Sequence, residues 1–104
     1  MYFHIGDTKG GKPSRWLYSN NHEKVAWAGE TFATTANARR AARAFKDGAK
    51  TARYEIYLDD ANKYRWRARR SSDKVAASGE AFYDRASATR AAANVRDNAG
   101  NARL

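Results

Sequence analysis

The heptapeptide YRWRARR, Tyr64 to Arg70, alternates ring or alanine side chains with arginines before ending in an arginine pair. A period of two is the side-chain repeat of extended backbone, so Tyr64, Trp66 and Ala68 share one side of a strand and Arg65, Arg67 and Arg69 the other. Such a strand has one dry side and one wet side. Upstream, RYEIYLD (Arg53 to Asp59) is rich in aromatic and β-branched residues and is separated from the heptapeptide by the turn-forming DDANK. Downstream, the polar SSDK leads into VAASGE, a third strand ending at Gly79.

The same succession occurs earlier in the chain. Placing Trp16 over Trp66, an offset of fifty, aligns KPSRWLYSNNHEKVAWAGETFATTANARRAARAFKDGA with NKYRWRARRSSDKVAASGEAFYDRASATRAAANVRDNA. From Arg15 to Arg53 about 17 of 39 positions are then identical, the mark of an internal repeat. The opening strands YFHIGD and RYEIYLD match at fifty-one, which puts one extra residue in the opening turn of the first copy.

Each copy closes with a helical stretch. Thr34 or Thr35 and Asp84 are N-cap candidates, and Ala38, Ala41, Ala42 and Phe45 recur as Ala88, Ala91, Ala92 and Val95 at helical spacing. Gly48 or Asn98 is expected to close each helix, at a position tolerant of a left-handed backbone. Arg39, Arg40, Arg43, Lys46, Arg90 and Arg96 fall on the solvent side. The expected fold is α+β: two tandem β-β-β-α repeats, 1–52 and 53–104, forming one antiparallel sheet with two helices on one face. One unit of about fifty residues buries too little apolar surface to stand alone, whereas two make a credible core. The tryptophans with Phe32, Phe45 and Phe82 are expected to fill it.

The composition limits function. The chain has 104 residues, 42% hydrophobic and 30% charged, with a formal charge of +9, no cysteine and a mean hydropathy of -0.90. No cysteine means no disulfide scaffold and no thiol chemistry, and a reducing, cytoplasmic location is the default expectation. No apolar run approaches a signal peptide core or a membrane span. A pI near 10.2 favours polyanionic partners, DNA or RNA first, although charge of this size also serves solubility alone.

The segments YEIYLDD, YRWRAR, KVAASGEAF and DRASATRAAANV, with RW, KVAWAGETF and ANARRAA in the first copy, resemble the YegP-like proteins of bacteria and archaea, whose repeat carries a domain of unknown function. The resemblance spans nearly the whole chain. The turns DDANK and SSDK depart from the family's glycine-bearing hairpins. What the resemblance implies is two β(3)-α units in one continuous sheet with the helices exchanged between halves, single-copy relatives that pair as dimers, and no established activity.

The strongest candidate site is the wet side of the heptapeptide, Arg65, Arg67 and Arg69, joined by Arg15, Tyr57, Lys63 and Arg70 as nucleic-acid-binding residues. Alternate residues on a strand lie about 6.5–7 Å apart, close to the spacing of successive phosphates. Guanidinium forks suit phosphate oxygens, and a tyrosine offers a surface for a base. The competing explanation is a merely solvated strand face. His4 and His22 have no partner at metal-ligand spacing, and Asp59, Asp60 and Asp73 sit in turns, where carboxylates bond their own backbone. Glu30 and Glu80 recur as a pair suited to ion pairing or helix capping, GGK lacks the spacing of a phosphate loop, and no nucleophile motif is present. The expectation is a non-enzymatic monomer without cofactor or metal that binds DNA or RNA, or alternatively a protein-interaction module that accepts a partner at a sheet edge, with the tyrosines and Trp27 as contacts.

Overall fold

The computed structural model describes residues 1–104. Strands β1 (Tyr2–Asp7), β2 (Pro13–Tyr18) and β3 (Lys24–Trp27) precede helix α1 (Thr35–Gly48); β4 (Arg53–Leu58), β5 (Tyr64–Arg70) and β6 (Asp73–Ser78) precede α2 (Arg85–Asn98). A short 3₁₀ turn, Ala99–Asn101, follows α2. All six strands join one antiparallel sheet in the order β1-β2-β3-β6-β5-β4, so the two halves meet at β3 and β6. No helix is long and apolar enough to cross a membrane.

The helices form where their caps predict. Thr34 Oγ1 accepts from Asn37 N–H and Asp84 Oδ1 from Ser87 N–H, each occupying a donor that the first turn leaves unpaired. Ala38, Ala42 and Phe45 on α1, and Ala88, Ala92 and Val95 on α2, are buried against the sheet, and the small alanines let backbone approach backbone. The helices are not exchanged: α1 lies over β1 and β2, and α2 over β4 and β5. Nor does either end in a left-handed residue, since Ala49 and Ala99 remain right-handed. Gly48 has a different role. The Arg70 guanidinium lies against it, and a Cβ there would sit 2.8 Å from Cζ.

Strand register corrects the sequence alignment. Tyr2 pairs with Tyr18 and Arg53 with Arg69, and Asp7 with Pro13 as Leu58 with Tyr64, so residue n of β1 or β2 corresponds to residue n + 51 throughout. Ala26 beside Leu17 and Ala76 beside Ala68 restore the offset of fifty in β3 and β6. The extra residue therefore lies in the turn between β2 and β3, and the opening turns are equal in length. The identical RW pairs are out of step by one.

A slip of one residue sends a side chain to the opposite face. Trp66, at 0% exposure, packs inward beside Tyr54, whereas Trp16 is half-buried on the helix-free face opposite Trp27. The expectation that all three tryptophans fill the core is thus corrected: Trp66 and Phe45 do so, with Phe3, Leu17 and Val95, while Phe32 and Phe82 are half-buried. The structural counterpart of Trp66 in the first half is Arg15. At 1% exposure it points under α1, its Cζ 4.9 Å from the Phe45 ring centroid.

Candidate nucleic-acid interface

The face of the sheet away from the helices carries two chemically different fields. Strand alternation on β4 and β5 places Arg53, Glu55, Tyr57, Arg65, Arg67 and Arg69 together there. The arginine row does share one side, but it is not free. Glu55 Oε1 accepts from Arg67 Nε at 2.8 Å and from Arg69 Nε at 2.9 Å, while Arg53 Nη2 lies 3.5 Å from Oε2. Asp59 Oδ2 accepts from Arg65 Nε at 2.8 Å. Two carboxylates thus order four guanidiniums and leave the cluster cationic. Both carboxylates engage Nε of their main partners, and the terminal nitrogens of Arg65 and Arg67 make no further hydrogen bond.

The carboxyls register this environment. Hydrogen bonds from Arg67 and then Arg69 hold Glu55 below the ordinary carboxylate range. The Lys63 backbone N–H, followed by Arg65, does the same for Asp59, whose Oδ1 also accepts from Ala61 N–H within the β4–β5 turn. Asp59 is therefore both a turn residue and a brace for the row.

The other half of the face is aromatic. Tyr2 stacks on Tyr18 with ring centroids 5.4 Å apart, and His4 lies 5.9 Å from Trp16. Trp16 pairs across the ladder with Trp27. Lys24 Nζ stands 5.8 Å over the Trp16 ring, and Tyr2 Oη shares a 2.7 Å hydrogen bond with His22 Nδ1. Gly6 leaves room for the His4 ring, since a Cβ there would meet Nε2 at 2.7 Å. These side chains are half-buried or exposed, with no helix above them.

Of the seven residues singled out from the sequence, Tyr57, Arg65, Arg67 and Arg69 come together. Tyr57 is not an open surface, because Arg67 Cζ lies 4.5 Å over its ring. Lys63 stands in the turn with Nζ 5.0 Å from the centre of the exposed Tyr83 ring. Arg70 leaves the row: it ends β5 and reaches the helix side, where Nη1 donates to Ala44 O at 3.3 Å. Arg15 is the clearest correction, since its place in the ladder opposite Ile5 sends it into the core side. The tyrosines and Trp27 are expected from the sequence only as contacts for a partner protein, and the assembly of Tyr2, His4, Trp16, Tyr18 and Trp27 into one aromatic field was missed because the shared RW pair assigned Trp16 to the dry side. The period-two spacing of Tyr2 with His4, and of Trp16 with Tyr18, was the available signal.

No family model matches the sequence, and no curated protein sequence matches it. Two solved structures do. The solution NMR structure of YegP from E. coli, a protein of unknown function, superposes with a TM-score of 0.81 at 14% identity, covering 98% of this chain and 88% of that one. The solution NMR structure of UPF0339 protein SO3888 from Shewanella oneidensis gives 0.78 at 13% identity, covering 95% and 84%. At such identity the likeness is one of architecture, and the architecture of this chain is the YegP-like α+β fold.

Proposed function

We propose that the chain is a non-enzymatic, monomeric protein that binds single-stranded nucleic acid across the helix-free face of its sheet. The observation that carries this is the presence of two fields on one surface, separated only by β6: half-exposed rings on β1 to β3 and an ordered guanidinium cluster on β4 and β5. Rings accept unstacked bases, and guanidinium ends accept phosphate oxygens. A face with both suits a single strand better than a duplex, whose bases are already stacked. The Glu55 and Asp59 braces reduce the net charge of the row but fix its geometry, so less side-chain freedom is lost on binding. We further infer that the halves are copies of one unit, so that the duplicated chain supplies internally what a half-length chain obtains by pairing, and that the protein works in the cytoplasm.

Fluorescence anisotropy of labelled DNA and RNA single strands tests the proposal. Affinity is expected to fall steeply between about 50 and 200 mM salt, and replacing Arg65, Arg67 and Arg69 by Ala is expected to reduce the log–log slope by about 2. No anisotropy change at micromolar protein in low salt overturns it.

One observation favours a second reading as a protein-interaction module. The β1 edge is partly occupied, because Phe3 N–H donates to Arg103 O and Arg103 N–H to Met1 O, whereas β4 pairs only with β5. A partner strand would join β4. Such binding would survive high salt and the arginine substitutions, and Leu58→Pro, which removes an N–H facing the open edge, would weaken it.

A further inference from the structure

On the helix side, the two halves differ at the position shared by Arg15 and Trp66. Trp66 fills its space and lines no cavity. Arg15 instead borders a cleft of about 390 Å³ between α1 and the β3–β6 junction, within the size range of small-ligand sites. Its Nη2 donates to Val75 O, but its Nε and Nη1 have no partner although both are fully buried. A buried guanidinium with two unused donors is costly for the fold, which asks for an acceptor. Burial lowers the Arg15 pKa to about 10 despite the opposing influence of Glu30, so the group remains cationic at neutral pH.

The cleft is amphipathic. Phe32, Phe45, Ala41, Ala44 and Val75 provide an apolar wall. Its charged lining is Arg15, Arg70 and Lys74 against Glu30 and Asp73, three positive groups and two negative, or one net positive charge. The junction itself is asymmetric: Gly79 N–H donates to Val25 O, but the corresponding bond from Gly29 to Val75 O is replaced by the one from Arg15. Gly29 holds φ +80° beside the Lys74 side chain.

We propose that this cleft binds a small organic monocarboxylate, its head group on the Arg15 fork and its apolar body against Phe32 and Phe45. A planar guanidinium matches a carboxylate through two parallel hydrogen bonds, and one negative charge balances the site. The unused donors are sealed from bulk water, so the head group reaches them as the guanidinium turns from Val75 O toward the cleft. Val75 O then becomes available to Gly29 N–H, as Val25 O is to Gly79. Arg70 and Lys74 form the charged rim.

The test is a ¹⁵N–¹H NMR titration of the full chain with sodium benzoate, alongside neutral benzamide and inorganic phosphate. Benzoate is expected to give saturable shifts at Ala28, Gly29, Phe45 and Val75 with a Kd below about 10 mM, and the other two probes no saturation in that range. Arg15→Met is expected to weaken benzoate at least about tenfold, the scale of a charge-assisted hydrogen bond, and Arg70→Met about twofold. Ala44→Leu, which fills the cleft without touching the charge, is expected to abolish saturation and keeps the test decisive if Arg15→Met does not fold. Equal saturation by benzamide or phosphate, shifts outside the cleft, or unchanged binding in Ala44→Leu overturns the assignment.

Discussion

The first half of the chain and the second build the same three strands and helix, yet they distribute their chemistry in opposite ways. In the second half the indole is inside and the guanidiniums are outside; in the first, Trp16 is outside and the guanidinium of Arg15 is inside. One residue of register produces the whole inversion, because adjacent positions on a strand face opposite directions. The result is a bipartite outer surface and, beneath α1, a cleft bordered by a buried guanidinium where the second half has the Trp66 ring. Two similar halves that differ by one residue in side-chain placement give one fold two kinds of surface.

The largest expected effect breaks or upholds this inversion directly. Trp66→Ala is expected to cost about 3–5 kcal/mol in chemical denaturation, the range for a fully buried aromatic, and Trp16→Ala about 1 kcal/mol or less. Equal losses would contradict the opposite placement of the two rings. Next in size, Arg15→Met replaces a buried and only partly bonded charge with an apolar chain of similar length. It is expected to leave stability unchanged or raise it by up to about 4 kcal/mol in the absence of ligand. A large loss would mean that the single bond to Val75 O outweighs the desolvation of the group.

The outer surface offers finer contrasts. Tyr18→Ala is expected to weaken single-strand binding by about 1–3 kcal/mol while Tyr83→Ala, outside the aromatic field, has no effect. Glu55→Gln removes the carboxylate shared by Arg53, Arg67 and Arg69, and is expected to tighten binding about threefold at low salt by adding one net positive charge. The smallest effect is the pH dependence. Glu55 and Asp59 have folded-state pKa values below their unfolded ones, so their stabilisation is present above the ordinary carboxylate range and is lost as pH falls through the lowered values. Both are half-buried at the sheet surface and within reach of solvent screening, so the loss in an acid titration of thermal stability is small, and Glu55→Gln is expected to remove its part of it.

Much of the architecture is legible in the sequence. The YRWRARR alternation, the Thr34 and Asp84 caps and the alanine spacing of both helices are local signals, and local signals fix element type. Face assignment is less local. On β2 the series Arg15-Trp16-Leu17-Tyr18 offers no clean polar–apolar alternation, so the identical RW pair decided the alignment and inverted the strand. Only the ladder, pairing Arg15 with Ile5 and Leu17 with Phe3, resolves it. The braces have the same character: Glu55 reads as one acidic residue in a strand until β4 lies beside β5 and sets it among three arginines. The cleft depends on the β3–β6 junction, a long-range pairing that short motifs do not encode.

Intrinsic tryptophan fluorescence during titration with a single-stranded oligonucleotide at low salt tests the proposed function most directly, because two indoles lie on the outer face and the third is sealed in the core. Bases stacking on that face should quench the emission, and Trp16→Phe with Trp27→Phe should leave a protein whose remaining Trp66 signal does not respond. Undiminished quenching in that double variant, or no quenching in the parent chain, would contradict a nucleic-acid platform on the open sheet.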